Sequence, residues 1–383
     1  SILKDAASAA LYGNRAANGV VLITTKSGRN TNKPSITLQM NQGIYNRGIP
    51  EYDRLDADRW MEASWMAKKN SMMSNAGMSA SEAAEYATSH LISESIGRNI
   101  YNAADDKLFD SNGKLIATRL AGYDDLDWED AVERNGHRQE YNLSAAASGE
   151  KYNVYSSVGY LNEKGYVKAT GYERFSGRIN TTYTPSKWFK GGVNLSGSWT
   201  KRNYNGNASG NAYANPFYMT RYMAPVYPIY MHNADGTYQL DEEGNKIYDT
   251  TSPYLSNRSI VYELQYNKQE RVRNTLGGQA FATVSLPYGL SVTVKGDLNN
   301  STANQKKYDN PEIGDGATNG GRLTSYAYQY RTVTFQQILN WNYQFKQVHN
   351  VDVMAAHENY SWERKYTSGM NTGMAVDGNL TMG

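Results

Sequence analysis

An acidic cluster is the densest group of side chains in this sequence that could take part in catalysis. Its members are Asp124, Asp125, Asp127, Glu129 and Asp130. Hydrolysis of a glycosidic bond needs two carboxylates at a defined separation across the substrate. Here the carboxylates follow one another on a loop just before a predicted strand. The cluster therefore predicts a solvated loop or a contact with a partner protein, and not an active site.

The signals for ligand binding in this sequence are stronger than those for catalysis. They come from aromatic side chains in the segment 203–258. Tyrosine offers a flat apolar face and a hydroxyl group at modest entropic cost, which suits weak recognition of sugars or peptides. The candidate binding residues are Tyr213, Phe217, Tyr218, Arg221 and Tyr222. The alternative is that this segment merely packs on its neighbours or on a partner protein. The residue types alone do not decide between the two.

The composition disfavours several kinds of chemistry. The 383 residues include no cysteine and only five histidines, which excludes a disulfide scaffold, a thiolate zinc site and a cysteine nucleophile. The Asp-Gly and Glu-Gly turns at 235–236 and 243–244 lack the spacing of a calcium-binding EF-hand loop. The sequence therefore predicts a protein that is not an enzyme, with no catalytic residue, no cofactor and no metal ligand.

The charge balance bears on the class of partner. The sequence has 39 Lys and Arg against 37 Asp and Glu, a formal net charge of +2. A nucleic-acid-binding surface needs a clear basic excess, so nucleic acid is not an expected partner. Aromatic residues make up 12% of the chain, with 32 Tyr against 7 Phe. Disordered chains are poor in aromatics, so this composition favours strands with one wet face.

Alternation of apolar and polar side chains is the main structural signal. An alternation with period two indicates a strand with one buried face. Nine runs show it, at residues 36–41, 141–145, 152–160, 175–183, 189–199, 270–286, 290–299, 324–345 and 351–355. No run approaches the roughly 20 apolar residues of a membrane helix. We therefore predict an all-β fold built from about nine strands.

The links between these runs differ in length in a regular way. Every second link is short, at 149–151, 185–188, 287–289 and 346–348. Short turns alternating with long loops are typical of a transmembrane antiparallel β-barrel in the outer membrane. Aromatic residues beside the short turns fit an interfacial girdle, namely Trp188, Phe189, Tyr288, Tyr343 and Phe345. The alternative is a soluble β-protein with aromatics at its strand ends.

Two segments depart from the strand pattern. Residues 53–98 predict a pair of helices inside the first long loop, because Leu55, Trp60, Met61 and Trp65 lie near helical spacing and Ser79 to Glu82 resembles a helix start. Residues 1–29 predict a short Ala-rich helix over 4–11 and a strand over 20–25.

The first block also carries a family resemblance. It contains Tyr12-Gly13-Asn14-Arg15-Ala16-Ala17-Asn18-Gly19-Val20, followed by Thr24-Thr25-Lys26-Ser27-Gly28. This resembles the end of the plug domain in SusC-like TonB-dependent transporters of the Bacteroidetes. Asp127-Trp128 and the stretches 160–165, 171–175 and 188–191 resemble the early barrel of the same family.

The resemblance implies an architecture and a function. Residues 1–30 would be the C-terminal end of the plug, and residues 31–383 the N-terminal part of a 22-stranded barrel, with the helical insert at 53–98. The family implies active import of oligosaccharides or peptides across the outer membrane. Its partners are TonB, acting through an N-terminal segment, a SusD-like surface lipoprotein that serves as a lid, outer-membrane lipid, and in some assemblies a dimer of transporter–lipoprotein pairs.

Two expectations follow from this resemblance. The TonB box, most of the plug and the later strands do not appear in the sequence, and nine strands cannot close a barrel. We therefore expect the chain to be part of a longer protein. The competing interpretations are a passive porin or a surface adhesin with a β-barrel. The plug-like block argues most strongly against them, because a porin carries no such plug. A secreted carbohydrate-active enzyme fits less well, because no acid/base pair is present.

Overall fold

A computed structural model describes residues 2–3, 18–21, 26–28, 33–204, 213–253, 257–346 and 348–374. Two short strands, β1 (Ile2–Leu3) and β2 (Val20–Val21), pair antiparallel near the N-terminus. Strand β2 covers the first two residues of the strand predicted over 20–25. The remainder of that prediction and the helix predicted over 4–11 lie outside the described residues.

Nine longer strands form one sheet. They are β3 (Ser35–Tyr45), β4 (Gly136–Ser148), β5 (Tyr152–Lys164), β6 (Gly171–Ser186), β7 (Phe189–Asn203), β8 (Lys268–Ser285), β9 (Leu290–Asp309), β10 (Arg322–Phe345) and β11 (His349–Thr372). Each pairs antiparallel with its neighbours in chain order. The prediction of a nine-stranded all-β architecture is confirmed. The last strand extends to Thr372, far beyond the predicted 351–355. Its large apolar side chains change face along the strand, because Val351 and Val353 are at odd positions and Tyr360, Trp362 and Tyr366 at even ones.

The short links are tight turns at one end of the sheet. Trp341 Nε1 donates a hydrogen bond of 3.0 Å to the carbonyl of Tyr288 in the β8–β9 turn. Gly289 in this turn has a φ of +78°, and a Cβ there would lie 1.8 Å from the Asn342 carbonyl oxygen. Only glycine fits this position without moving the neighbouring strand. The turn is therefore fixed both by its own conformation and by β10.

The two faces of the sheet differ in polarity. The register aligns Leu38 with Leu143 and Leu143 with Val158, and Leu38 and Val158 are each 60% exposed. The same apolar face continues across later strands through Phe175, Ile179, Leu195, Leu276, Leu298, Val333 and Phe335. An exposed apolar surface of this extent is typical of contact with lipid or with another protein. We call it the apolar face, and the opposite side the polar face.

The segment before β3 lies against the polar face. Asn180 on β6 donates a hydrogen bond of 3.3 Å from its side-chain amide to the carbonyl of Lys26. Gly28 approaches the neighbouring backbone so closely that a Cβ would lie 2.3 Å from the Val154 carbonyl oxygen. Of the described N-terminal residues, Lys26 thus contacts the polar face and Gly28 lies against the backbone of β5.

Helices fill the long connection between β3 and β4. Helix α1 (Ala57–Ala76) begins at Asp56, whose carboxylate accepts a hydrogen bond of 2.8 Å from the Arg59 N–H, and α2 (Ala80–Leu91) begins with a capping box between Ser79 and Glu82. The predicted helix pair within 53–98 is therefore present. A π-helical turn follows at Ile92–Ile96, and a short helix, α3 (Trp128–Val132), precedes β4. No helix among the described residues is long and apolar enough to cross a membrane.

The long connection between β7 and β8 holds two further helices, α4 (Pro216–Tyr222) and α5 (Ile260–Tyr266). Both long connections contribute to one hydrophobic core, which we call the loop core. Its most deeply buried members include Met61, Trp65, Leu91, Trp128, Met219, Val226 and Ile260. Trp128 Nε1 donates a hydrogen bond of 2.8 Å to the Tyr227 carbonyl, and the Tyr227 hydroxyl donates one of 3.0 Å to the Ile96 carbonyl. These bonds join the two connections.

Replacement of Trp128 by alanine should loosen the loop core. The change removes a fully buried ring and its hydrogen bond to the Tyr227 carbonyl, so we expect a loss of about 3–5 kcal/mol in local stability. Hydrogen exchange of the loop amides in the full-length protein measures it. Trp188→Ala is the control, because Trp188 is 60% exposed beside a short turn. Equal acceleration of exchange in the strands and the loops would contradict a separate loop core.

Gly113→Ala should destabilise the same region more than Gly77→Ala. Both glycines have positive φ, +82° and +67°, so each substitution carries a backbone cost of about 1–2 kcal/mol. A Cβ at Gly113 would also lie 2.1 Å from the buried ring of Trp65, whereas nothing lies within 4 Å of one at Gly77. We expect a further cost of roughly 1–3 kcal/mol from this overpacking. Equal unfolding temperatures for the two variants would show that the ring of Trp65 moves freely.

Candidate functional site

Helix α4 positions most of the candidate binding residues. Its N-terminus is fixed by Asn215, whose side chain accepts a hydrogen bond of 3.0 Å from the Phe217 N–H, and by Pro216 in the first turn. Proline is well suited to this position because the first turn has no partner for its N–H. Pro216 and Met219 are buried, and the opposite side of the helix is exposed.

Three of the candidate tyrosines form one aromatic cluster. The ring centroids of Tyr213 and Tyr218 are 5.9 Å apart, those of Tyr213 and Tyr222 are 6.1 Å apart, and those of Tyr218 and Tyr222 are 5.7 Å apart. Tyr213 is 41% and Tyr222 47% exposed. We call these three residues the tyrosine cluster. It presents ring surface to the outside next to a hydrophobic core.

Arg221 lies on the same helix and is already paired. Its Nε donates a hydrogen bond of 3.0 Å to Glu51 Oε2, and its Nη2 contacts Oε1 of the same carboxylate. The guanidinium of Arg221 holds the pKa of Glu51 below its usual range. A bidentate pair of this kind fixes the orientation of both groups. Arg221 therefore connects α4 to the segment after β3.

Phe217 points away from the tyrosine cluster. It packs against the loop core, and its ring centroid lies 6.3 Å from that of Tyr166 and 5.4 Å from the guanidinium carbon of Arg47. The structure thus brings Tyr213, Tyr218 and Tyr222 together and separates Phe217 from them. Arg221 follows Phe217 at i+4 spacing on α4, and both face the ion network of Arg47 and Glu51.

Arg47 is the centre of an ion network below the cluster. It forms ion pairs with Glu51 and Glu133, and one of 2.9 Å with Glu129. Burial raises the pKa of the Glu129 carboxyl, and the attraction of Arg47 opposes that rise. One guanidinium with three carboxylates links the end of β3 to α3. Through Glu51 the same network reaches Arg221 on α4.

A cleft beside the cluster separates α4 from α1. Its volume is about 390 Å³, and Trp60, Tyr222 and Pro225 are among its lining residues. Arg54 crosses it, donating hydrogen bonds to the carbonyls of Arg221 (3.2 Å) and Met223 (3.1 Å). Apolar ring surface beside a few fixed polar groups is typical of small-ligand sites.

The carboxylates of the acidic cluster have structural roles, and not all of them are exposed to solvent. Asp125 is buried, accepts a hydrogen bond of 2.8 Å from the Tyr230 N–H and lies 3.4 Å from the ring of His232, and burial raises its pKa. Asp127 caps α3, and Asp124 accepts a hydrogen bond from the Tyr238 hydroxyl. The interpretation of this cluster as a solvated loop is therefore wrong for Asp125. The carboxylates order the loop core.

Among the described residues, no group of three or more His, Asp or Glu side chains could hold a metal ion. A second group of side chains that could bind a ligand lies on the polar face, and it consists of aromatic and basic residues.

Tyrosines line the polar face of β10 and β11 in parallel orientation. The rings of Tyr326 and Tyr328 are 6.1 Å apart with an interplanar angle of 14°, and those of Tyr328 and Tyr330 are 6.3 Å apart at 11°. The ring of Tyr366 lies 5.4 Å from that of Tyr328. These residues were not among the sequence-based candidates. The alternation Tyr326-Ala327-Tyr328-Gln329-Tyr330 could have revealed them.

Arginines accompany these tyrosines. The guanidinium carbon of Arg271 lies 5.4 Å from the ring centroid of Tyr328, and that of Arg364 lies 5.9 Å from it. The register places Arg202 opposite Arg271 and Arg273 two residues along β8. We call these arginines and tyrosines together the basic–aromatic band. Its members are Arg202, Arg271, Arg273, Arg364, Tyr326, Tyr328, Tyr330 and Tyr366.

Curated proteins resemble the chain along almost its whole length. "TonB-dependent receptor P39" of Formosa agariphila is 25% identical over 377 residues, which is 96% of this chain and 30% of that protein. "TonB-dependent receptor P3" of the same organism is 25% identical over 97% of the chain and 31% of its own length. The "TonB-dependent receptor SusC" of Bacteroides thetaiotaomicron is 25% identical over 180 residues, 47% of this chain and 13% of that protein. No family model matches the chain.

Solved structures share the fold. The structure of the RagAB peptide importer in the "closed-closed" state matches 100% of this chain and 40% of its own, with a TM-score of 0.69 and 19% identity. The "open-open" state gives a TM-score of 0.70 at 18% identity. The nine-stranded sheet is thus part of a β-barrel of this kind.

The chain spans about 30% of the length of the first two of these relatives. In sequence the chain resembles TonB-dependent receptors almost from end to end, and SusC over about half of its length. In fold it resembles RagAB.

Proposed function

We propose that the whole protein is a TonB-dependent importer of oligosaccharides or peptides in the outer membrane. In this assignment the apolar face contacts lipid, the polar face lines the lumen, and the long connections with the loop core face the outside. Residues 1–30 are the end of the plug and residues 31–383 the first part of the barrel. The chain has no catalytic role in this scheme.

One observation carries the proposal. The segment before β3 packs on the polar face, through the contact of Lys26 with Asn180 and the close approach of Gly28 to the backbone of Val154. A passive porin or an adhesin does not need a chain segment returning into its lumen. A plugged barrel does, because energy from TonB must act on something that blocks the path. The names of the related receptors support the same interpretation.

The partners follow from the same proposal. A SusD-like lipoprotein would cover the loop core as a lid, and substrate would be held between the two. The RagAB structures are described as a peptide importer, which supports peptides as cargo. Oligosaccharides are the other cargo that the family resemblance implies. TonB would act through a segment N-terminal to the plug. A dimer of transporter–lipoprotein pairs would give two such units side by side.

The tyrosine cluster and Arg221 are proposed to contact substrate at the outer mouth. The cluster is exposed, rigidly supported by the buried side of α4, and adjacent to the cleft crossed by Arg54. Phe217 is a supporting residue in this scheme, because it holds α4 against the loop core. Stacked tyrosines lose little side-chain entropy when a ligand binds.

Uptake should require TonB. Cells that carry the full-length protein should lose growth on its substrate when TonB is deleted, and growth on a sugar that enters through porins should continue. Deletion of the neighbouring lid lipoprotein should reduce uptake of the same substrate. A panel of glycans and peptides, supplied as sole nutrients, identifies the cargo. Uptake that persists in cells lacking TonB would leave a passive porin as the better interpretation.

Tyr222→Ala should weaken substrate capture at the mouth. Loss of one stacked aromatic contact of about 0.5–1.5 kcal/mol corresponds to a rise of roughly two- to tenfold in the half-saturating substrate concentration for uptake. Tyr266→Ala is the matched control. Tyr266 stacks on Tyr262 at the same i,i+4 spacing on α5, with the ring centroids 4.2 Å apart. Equal effects of the two substitutions would argue that the tyrosine cluster is only structural.

A further inference from the structure

Between β6 and β11, the rows of the polar face that hold the basic–aromatic band carry arginines and no carboxylate. The same rows reach Glu163 on β5 and Glu140 on β4, where both carboxylates pair with Arg138. Four successive rows of paired residues cross the polar face from β6 to β11, beginning at Tyr172, Arg174, Ser176 and Arg178. They carry no Asp or Glu, and their arginines are Arg174, Arg178, Arg202, Arg271, Arg273 and Arg364. Between β6 and β11, the first carboxylate is Asp297, which lies in the next row towards the short turns.

We propose that this band binds a linear anionic oligomer, an acidic oligosaccharide or an acidic peptide, as it passes into the lumen. The inference rests on the proposed transport function and specifies the charge of the cargo. Carboxylate and sulfate groups would pair with the arginines, and the body of each unit would lie on the tyrosine rings.

Most arginines of these rows have no carboxylate partner among the described residues. Arg174 reaches Glu140 on β4 at 3.6 Å, but no ion pair within the described part of the chain involves Arg202, Arg271, Arg273 or Arg364. The Nε atoms of Arg271 and Arg273 are buried without a hydrogen-bond partner. Arg202 lies directly across from Arg271 in the register, and like charges in such positions repel. An anion placed between them would relieve this repulsion.

The tyrosines orient the arginines for such a ligand. A guanidinium that lies over an aromatic ring keeps its N–H edge free for a bidentate contact with a carboxylate or a sulfate. Arg364 does this over both Tyr328 and Tyr330, at 5.9 Å and 5.6 Å. The rings repeat about every 6 Å along β10 because alternate residues of a strand share a face. A repeating array of this kind suits a linear oligomer better than a single small ion.

The N-terminal segment of the sequence is poor in acidic residues that could neutralise the arginines. Residues 1–34 contain one acidic residue, Asp5, against five basic ones, Lys4, Arg15, Lys26, Arg29 and Lys33. The contact of that segment with the polar face is at Asn180, in the row just beyond that of Arg178 and nearer the short turns. The band therefore lies on the outer side of the contact, where arriving cargo would meet it first.

Binding to the purified full-length receptor with its lid lipoprotein, in lipid nanodiscs, tests the proposal. The probes are fluorescein-labelled oligogalacturonate, an oligoglutamate peptide of matched length, and a neutral dextran oligomer. We expect one anionic probe to bind more tightly than dextran, and its affinity to fall with added salt. Whichever anionic probe binds identifies the source of the charge.

The variant Arg271→Gln with Arg364→Gln removes the two cations that flank Tyr328. We expect it to weaken binding of the anionic probe by about tenfold or more, because two charge-assisted contacts are lost. Arg331→Gln is the matched control, since Arg331 lies on β10 but on the opposite face of the sheet, and its affinity should match that of the unmodified protein.

Two results would overturn the proposal. The first is that neither anionic probe binds better than dextran. The second is that the double variant binds the probe as the unmodified protein does; a lower melting temperature of that variant would then show that the arginines only stabilise the receptor. Binding in nanodiscs does not need TonB, so these results are independent of the uptake test.

Discussion

The register between neighbouring antiparallel strands is the constraint on which the rest of this structure depends. A shift of one residue would exchange the two faces of a strand, because side chains alternate along it. Across the sheet the register keeps Leu38, Leu143 and Val158 on one side while Arg174, Arg273 and Tyr328 share the other. Polarity on each side is thus a collective property of nine strands. No single strand could establish it.

The sequence contained most of the sheet and little of the site. Strands such as β9 were predictable because Val292, Val294 and Leu298 alternate with polar residues. The short turns were predictable from Pro287 and Gly289, and the first helices from the capping box at Ser79 and from the spacing of their apolar residues. Local patterns of this kind depend on a few neighbouring residues and survive in any tertiary setting.

The elements that were missed depend on distant contacts. Helices α4 and α5 have only seven residues each and are stabilised by a core that the other long connection completes. The buried position of Asp125 depends on the Tyr230 N–H and on His232, more than one hundred residues away. The grouping of Arg202, Arg271 and Tyr328 depends on the register of β7 to β10. None of these partnerships leaves a local signal. Of the five candidate binding residues, the three tyrosines lie together, whereas Phe217 and Arg221 face the ion network of Arg47 and Glu51.

The hydrogen bonds between the two long connections limit how far these connections can move apart. Trp128 donates to the carbonyl of Tyr227, whose hydroxyl in turn donates to Ile96 in the first connection. Separating the connections would break both bonds and expose the indole ring, at a cost of several kcal/mol. These bonds and the loop core therefore hold the described parts of the two connections together. In the proposed orientation, an opening of the mouth that keeps the loop core intact has to move both connections at once.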